Sequence, residues 1–160
     1  MVALVVLAAD QLTKLWALAA LEPGERRPLL GDLLGLQLAY NPGAALSIAT
    51  GMTWLLTLVA IAVVVVVVRT ARRTTSRVWA VTFGLLLGGA VGNLVDRIFR
   101  DPGPFQGHVV DFIAYGTWFI GNVADIAIVV AALMVIGLVV WGVRLDGTRD
   151  TKTEEARADG

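Results

Sequence analysis

Residues 53–68 read TWLLTLVAIAVVVVVV and contain no charged side chain. Valine favours strands in water, but an isolated strand in lipid leaves its backbone groups unpaired, so this stretch predicts a membrane-spanning helix. Three more stretches approach the roughly 20 apolar residues that cross a bilayer. They lie at about residues 1–21, 78–95 and 118–143. The predicted fold class is an all-α membrane protein with four transmembrane helices.

The composition of the 160 residues agrees with this prediction and excludes several kinds of chemistry. Charged residues make up only 16% of the chain, whereas a soluble domain has about a quarter. Thirteen basic and thirteen acidic residues cancel, so no net charge attracts nucleic acid. Cysteine is absent and His108 is the single histidine, which argues against disulfides, thiolate chemistry and the usual zinc sites. We therefore expect no metal and no cofactor.

Arginine and lysine indicate how the chain lies in the membrane, because they are concentrated in cytoplasmic connections. The connection between the second and third spans carries four arginines and no acid, and the segment after the fourth span is also rich in basic residues. We therefore expect both termini to be cytoplasmic and residues 22–52 and 96–117 to lie outside. Residues 146–160 are polar and are expected to form a disordered cytoplasmic tail, which leaves residues 1–145 as the membrane domain.

The two outer connections contain strand patterns. Large side chains alternate with smaller or polar ones from Leu34 to Tyr40, and a similar alternation runs from Val109 to Ile113. This period of two is typical of a half-buried strand. We expect a small extracytoplasmic β platform over the helix bundle.

Ionisable residues in or beside the spans suggest where the chemistry occurs, because charges at membrane depth are costly. They are Asp10, Lys14, Asp96, Arg97, Asp111 and Asp125. The predicted topology places most of them toward the outer half of the membrane. A rise of about 1.5 Å per residue puts Asp125 about 10 Å below the outer end of its helix.

This concentration of aspartates predicts two carboxylates that share a proton. In such a pair one carboxylate activates a water molecule while the other donates a proton to the carbonyl oxygen or the leaving amine. Asp96 is followed by Arg97 and Arg100, and an ion pair would keep it charged. We therefore pair Asp111 with Asp125 and keep Asp96 as the second choice.

Structural roles compete with chemical ones for several of these residues. Asp10 and Lys14 have the spacing of an intrahelical ion pair, and Asp96 with Arg97 fits an interfacial anchor. A set of small residues at four-residue spacing favours close helix packing over ligand binding. This set comprises Gly84, Gly88 and Gly92. A purely structural explanation is hardest for Asp125.

Five short strings together resemble the lipoprotein signal peptidase family, the type II signal peptidases of bacterial membranes. The strings are DQLTK at 10–14, NPGAALS at 41–47, GGAVGNLVDR at 88–97, VVDF at 109–112 and NVAD at 122–125. They occur in the family's order and on the expected spans, and they extend over nearly the whole chain apart from the tail. Leu46 and Gly121 stand where the family usually has phenylalanine.

The resemblance implies an intramembrane aspartic endopeptidase that removes signal peptides from prolipoproteins, cutting just before a diacylglyceryl-modified cysteine. It assigns catalysis to Asp111 and Asp125, in agreement with the choice made from neighbouring charges. It implies that further residues hold the substrate backbone or order the catalytic pair. These are Asp10, Lys14, Asn41, Asn93, Arg97 and Asn122, to which we add Asp96.

The resemblance also implies the surroundings in which the chain works. The expected partners are prolipoprotein substrates, membrane lipids and inhibitors of the globomycin type. We expect a monomer in the bacterial plasma membrane, with the active site toward the outer face and a mobile loop over it.

A small proton-coupled transporter is the competing class, because a membrane aspartate can bind a cation without any bond being cut. The acids of this chain cluster near one face instead of marking a path across the bilayer. Apart from Asp10 at the middle of the first span, the inner half of the predicted spans contains no ionisable group. Both features favour the enzyme.

Overall fold

The computed structural model describes residues 1–43 and 53–149 and contains four long helices in this part of the chain. They are α1 (Val2–Ala20), α2 (Thr53–Ala71), α3 (Arg77–Phe99) and α4 (Val123–Val140). Each is long and apolar enough to cross a membrane. The valine run lies within α2, so the prediction that helix would prevail over strand there is confirmed.

A small antiparallel sheet accompanies the helices, as the alternating patterns predicted. Its strands are β1 (Arg27–Leu30), β2 (Leu34–Asn41), β3 (Val109–Tyr115) and β4 (Phe119–Gly121), hydrogen-bonded in that order. The sequence predicted β2 and β3 but missed β1 and β4. Those two strands have four and three residues, too few to show an alternating pattern.

The start of α4 differs from the predicted span, which began at about residue 118. Phe119 to Gly121 pairs with β3, and α4 begins only at Val123 because Asn122 caps it. Asp125 is therefore the third residue of the helix, about 4.5 Å along its axis at ~1.5 Å per residue. The predicted depth of about 10 Å is wrong, because the residues before Val123 are not helical.

Helix α3 is the centre of the bundle and packs against the other three helices. Its glycines allow this close approach. A Cβ atom at Gly88 would lie 2.6 Å from Cβ of Val6 on α1, and one at Gly89 would lie 2.5 Å from the carbonyl oxygen of Ala124 on α4. The predicted packing role of this glycine face is confirmed.

The chain folds back after α4. Arg149 pairs with Val143, and Gly147 lies beside Ser76, so residues 146–149 are placed against the bundle although the sequence assigned them to a disordered tail. The remainder of that predicted tail, residues 150–160, lies outside the described residues. So do residues 44–52, which contain the end of the second string and Leu46.

Candidate active site

Asp111 and Asp125, the predicted catalytic pair, lie on different elements but line the same cavity. Asp111 is on β3 and Asp125 is in the first turn of α4. The cavity has a volume of about 670 Å³ and is also lined by Asn41 and Trp118. Asp111 is only 2% exposed, whereas Asp125 is half-buried. Sheet and bundle thus meet at a pocket with two carboxylates.

Asn122 contacts both carboxylates. Its side-chain oxygen accepts a hydrogen bond from the backbone N–H of Asp125 (3.0 Å), and its own backbone N–H donates to Oδ2 of Asp125 (3.1 Å). This reciprocal capping box satisfies backbone donors at the helix start. The remaining amide group, Nδ2, donates to Oδ1 of Asp111 (2.6 Å). The residue that begins α4 therefore also joins the two aspartates.

Two further asparagines complete the hydrogen bonding of the pair. Asn41 donates from Nδ2 to Oδ2 of Asp111 (2.9 Å), and Asn93 donates from Nδ2 to Oδ1 of Asp125 (2.9 Å). Asn41 is itself oriented by the backbone N–H of Gly43, which donates to its Oδ1 (2.8 Å). Each of the four carboxylate oxygens thus accepts a hydrogen bond from an uncharged amide. Amides orient the carboxylates without neutralising their charge.

The surroundings of Asp111 change its proton affinity. Burial raises the pKa of Asp111 to about 7, and the nearby charge of Asp125 acts in the same direction. The hydrogen bonds from Asn41 and Asn122 act against this rise because they stabilise the charged form. Near neutral pH, Asp111 is therefore divided between its protonated and ionised forms, as a group that must hold and release a proton requires.

A buried ion cluster lies next to the pair. Lys14 Nζ is 2.9 Å from Oδ2 of Asp10 and 2.8 Å from Oδ2 of Asp96, and it donates to Oδ1 of Asn93 (3.0 Å). All three ammonium N–H groups of Lys14 thus have partners. The side chains of Lys14 and both aspartates are fully buried. Because Asn93 in turn donates to Asp125, Lys14 is linked to one carboxylate of the pair through Asn93.

Asp96 is a member of this cluster and not of the pair. Arg100 Nε lies 2.7 Å from its Oδ1, and the backbone N–H of Val110 donates to its Oδ2 (3.1 Å). The sequence suggested Arg97 and Arg100 as partners of Asp96. The structure confirms Arg100, and the second ion pair is with Lys14 instead of Arg97. Asp10 has a second contact that the sequence did not suggest, since its Oδ1 accepts the backbone N–H of Ala124 near the start of α4 (3.0 Å).

Sequence reasoning missed Gln11 as a member of the site. Gln11 Nε2 donates to Oδ2 of Asp10 (3.1 Å), to the carbonyl oxygen of Gly92 (3.1 Å) and more weakly to Oδ1 of Asp96 (3.4 Å). The sequence already indicates Arg100 as an ion-pair partner of Asp96, at a spacing of four residues on one helix, although it does not assign Arg100 to the site. Gln11 gives no comparable signal beyond its position beside Asp10.

Arg97 lies near the pair, and its electrostatic partners include Asp111, Asp96 and Asp125. Its Nη1 atom is buried and has no hydrogen-bond partner among the described residues. Buried donors are nearly always paired in folded proteins. Nη1 of Arg97 is therefore a donor suited to an oxygen of a bound molecule.

An apolar groove leads away from Asp125. It has a volume of about 250 Å³ and follows α4 past Ile126 and Val129, which are 44% and 57% exposed. Tyr115 and Phe119 form its other wall, with their rings stacked 4.6 Å apart. Burial raises the pKa of Tyr115, and the charge of Asp125 contributes. The cavity at the carboxylate pair and the apolar groove therefore share one carboxylate, that of Asp125.

A metal has no evident ligand set in the described ranges. Within residues 1–43 and 53–149, no three His, Cys, Asp or Glu side chains are grouped as a metal site needs. The site contains instead a carboxylate pair suited to proton transfer, the guanidinium nitrogen Nη1 of Arg97 without a described partner, and the apolar groove.

The chain is similar in sequence to known bacterial proteins. A sequence model of the family described as signal peptidase (SPase) II matches residues 2–141. The lipoprotein signal peptidase of Rhodococcus jostii (strain RHA1) is 57% identical over 145 residues, which are 91% of this chain and 73% of that protein. The lipoprotein signal peptidase of Mycobacterium avium (strain 104) is 48% identical over 157 residues, which are 98% of this chain and 86% of that protein.

Solved structures are similar as well. Two bacterial membrane enzymes, each 25% identical to this chain, superpose with TM-scores of 0.76 and 0.75. The first match covers 87% of this chain and 85% of the other, and the second covers 86% and 89%. The similarity therefore extends over the helix bundle and the sheet together.

Proposed function

Since the chain belongs to the signal peptidase II family, and so is an enzyme that cleaves signal peptides from lipoproteins, we propose that Asp111 and Asp125 carry out this cleavage. The observation on which the proposal rests is the hydrogen bonding of the pair. All four carboxylate oxygens are held by uncharged amides beside one cavity. Such a pair is oriented for proton transfer while its charge remains available.

The environments of the two aspartates suggest different roles. Asp125 lies in the first turn of α4, where the helix dipole favours a negative charge. It takes a proton from a water molecule, whose oxygen attacks the carbonyl carbon of the scissile peptide bond. Asp111, with its pKa raised to about 7, donates its proton to the carbonyl oxygen. A tetrahedral intermediate with two hydroxyl groups results.

Collapse of this intermediate completes the reaction. Asp125 passes the proton that it took from water to the amide nitrogen, the C–N bond breaks, and the amine leaves. One hydroxyl group of the intermediate returns its proton to Asp111 as the carbonyl group of the new carboxylic acid forms. Both aspartates regain their initial states, so one water molecule is consumed and no other reactant is needed.

Arg97 and the asparagines act as binding and positioning groups in this proposal. The buried Nη1 of Arg97 donates to a carbonyl oxygen of the substrate backbone. Asn93 and Asn122 keep the carboxylates oriented, and Lys14 holds Asn93. Asp10 and Asp96 hold Lys14 in turn.

The apolar groove supports a substrate that carries lipid, and with it a cut before a diacylglyceryl-modified cysteine. The groove begins at Asp125 and runs along the exposed apolar face of α4. One turn of an α-helix with its side chains, ~10 Å wide and ~5.4 Å long, occupies roughly 400 Å³, more than the groove's volume of about 250 Å³. A slender acyl chain beside the reacting bond suits this volume.

The proposed location is the bacterial plasma membrane, with both termini cytoplasmic and the active site toward the outer face. The support is the charge distribution. The connection between α2 and α3 is rich in arginine, as cytoplasmic connections are, while the carboxylate pair lies at the other end of α3. The hydrogen-bonded carboxylate pair is complete without a second copy of the chain, and we therefore propose a monomer as the functional unit.

A cleavage assay tests the proposal. The purified protein in lipid is mixed with a prolipoprotein that carries or lacks its diacylglyceryl group, and products are separated on a gel. We expect cleavage of the lipidated form alone, and inhibition by globomycin. Absence of cleavage by the folded protein, together with proton flux in sealed vesicles, would instead support the transporter.

The rate is expected to fall with rising pH because Asp111 must carry a proton. Below pH 7 the group is mostly protonated, and above it kcat/KM should fall about tenfold per pH unit. The hydrogen bond from Asn41 lowers the pKa of Asp111, so its removal in Asn41→Leu should move this decline to higher pH. The measurement is kcat/KM between pH 5.5 and 9.

Gln37→Leu is the matched control, because Gln37 lies on the same strand and donates to the backbone of Gly24, away from the pair. It should leave the pH profile unchanged. An identical profile for wild type and Asn41→Leu would show that Asp111 does not supply the proton.

A further inference from the structure

A second apolar groove lies between α3 and α4, at the end of the bundle opposite the carboxylate pair. Its volume is about 360 Å³, and its lining includes Val78, Leu133, Gly137 and Trp141. Leu133 and Trp141 are 63% and 69% exposed, so the groove opens on the side of the helix bundle. None of the residues proposed for peptide cleavage lines it.

Gly137 lines this groove, and helix packing does not explain why a glycine is found there. A glycine within a helix is less favourable than an alanine. At Gly88 and Gly89 a neighbouring helix occupies the space of the missing side chain, but a Cβ atom at Gly137 would meet only Trp141, at 3.9 Å. The space beside Gly137 is therefore open, and the described part of the chain does not fill it.

Basic residues surround the end of this groove. The arginine cluster, as we call it, consists of the exposed residues Arg69, Arg72, Arg73, Arg77, Arg144 and Arg149. Arg77 immediately precedes Val78 of the groove. Within residues 69–77 there is no acidic side chain, and Asp146 is already engaged by Thr148 and by the charge of Arg144.

Hydrogen bonds hold the segment after α4 against the start of α3, and this places Arg144 and Arg149 in the arginine cluster. Trp79 Nε1 donates to the carbonyl oxygen of Val143 (3.0 Å), and the backbone N–H groups of Thr75 and Ser76 donate to the carbonyl oxygen of Leu145. Arg149 is paired back to Val143. The arginines that follow α4 are thereby fixed next to the start of α3, at the mouth of the groove.

We propose that this groove binds one acyl chain of an anionic phospholipid, whose phosphate group lies in the arginine cluster. Topology accounts for basic residues at this end, but it does not account for an open apolar groove that ends among them. Juxtamembrane arginines attract anionic lipid. One turn of a partner helix, ~10 Å wide and ~5.4 Å long, occupies roughly 400 Å³, more than the groove's volume of about 360 Å³.

Lipid retention and thermal stability test this site without any use of the cleavage reaction. The full chain is placed in nanodiscs of phosphatidylcholine with or without phosphatidylglycerol, and bound lipid is counted by native mass spectrometry after extraction. Phosphatidylglycerol should be retained and should raise Tm by several degrees. Gly137→Leu, which fills the groove, and Arg77→Gln, which removes a charge, should each lower retention about fivefold.

Matched variants control for indirect effects. Gly137→Ala adds only a methyl group that the groove can hold, and Arg27→Gln removes an arginine at the other end of the bundle; both should retain lipid as wild type does. Equal Tm in the two lipid compositions overturns the proposal. A rise in Tm with soluble glycerol phosphate that equals the rise with phosphatidylglycerol also overturns it, since no acyl chain is then needed. A change of oligomeric state in Gly137→Leu overturns it as well, since a second copy of the chain then occupies the groove.

Discussion

Asp125→Asn is expected to lower kcat for a lipidated prolipoprotein by roughly 10³-fold or more while KM changes little. The asparagine amide retains much of the size and hydrogen bonding of the carboxylate, but it cannot take a proton from water. Asp111→Asn should have an effect of similar size, because its amide cannot supply the proton that the carbonyl oxygen needs. Single-turnover cleavage followed on a gel measures both variants.

The double variant distinguishes a catalytic pair from two independent contributions. Residues that act as a unit have non-additive effects, so Asp111→Asn/Asp125→Asn should be little slower than either single variant. Asp32→Asn, an exposed carboxylate between β1 and β2, is the matched control and should cleave at the wild-type rate. Activity of Asp111→Asn within tenfold of wild type, in a protein that melts normally, would exclude Asp111 as the proton donor.

Lys14→Met is expected to lower the free energy of unfolding by about 3–5 kcal/mol, the usual effect of removing one partner of a buried ion pair. Lys14 lies between Asp10 and Asp96, and all three side chains are fully buried. Methionine has a similar length but leaves two buried carboxylates whose remaining ion pair is that of Asp96 with Arg100. A fall in Tm of roughly 10 °C should be visible in a thermal melt.

A compensating variant shows whether charge is the cause. Asp10, Lys14, Asp96 and Arg100 together are neutral, and Lys14→Met makes the cluster negative by one unit. Lys14→Met/Asp10→Asn restores neutrality and should recover a large part of the lost stability. If the double variant melts no higher than Lys14→Met, the lost packing of the lysine stem, and not the unpaired charge, explains the destabilisation.

The membrane fold could be predicted from local sequence because its causes are local. A run of apolar residues is sufficient to specify a helix in lipid, and the regular alternation from Leu34 to Tyr40 is sufficient to specify a strand. The start of α4 could not be found in this way. Phe119 to Gly121 is as apolar as a helix, and only its pairing with β3 makes it a strand.

The candidate site was predictable as a set of residues, although their roles remain proposals. Acids at membrane depth are conspicuous, and the neighbouring charges of Asp96 distinguished it from Asp111. The network that joins them was not predictable, because its contacts connect distant parts of the chain. Asn41 and Asp111 are 70 residues apart, and Lys14 and Asn93 are 79 apart.

The sequence by itself therefore determined the four spans, the two longer strands, the packing face of α3 and the chemical groups available for catalysis. These follow from hydropathy, period and residue type, which act over a few neighbouring residues. The tertiary structure alone decided that Lys14 joins Asp10 to Asp96, that Asn122 contacts both Asp111 and Asp125, and that Nη1 of Arg97 is left without a described partner. Hydrogen bonds and ion pairs require contact within a few ångströms, and such contact between distant residues exists only once the helices and the sheet have packed.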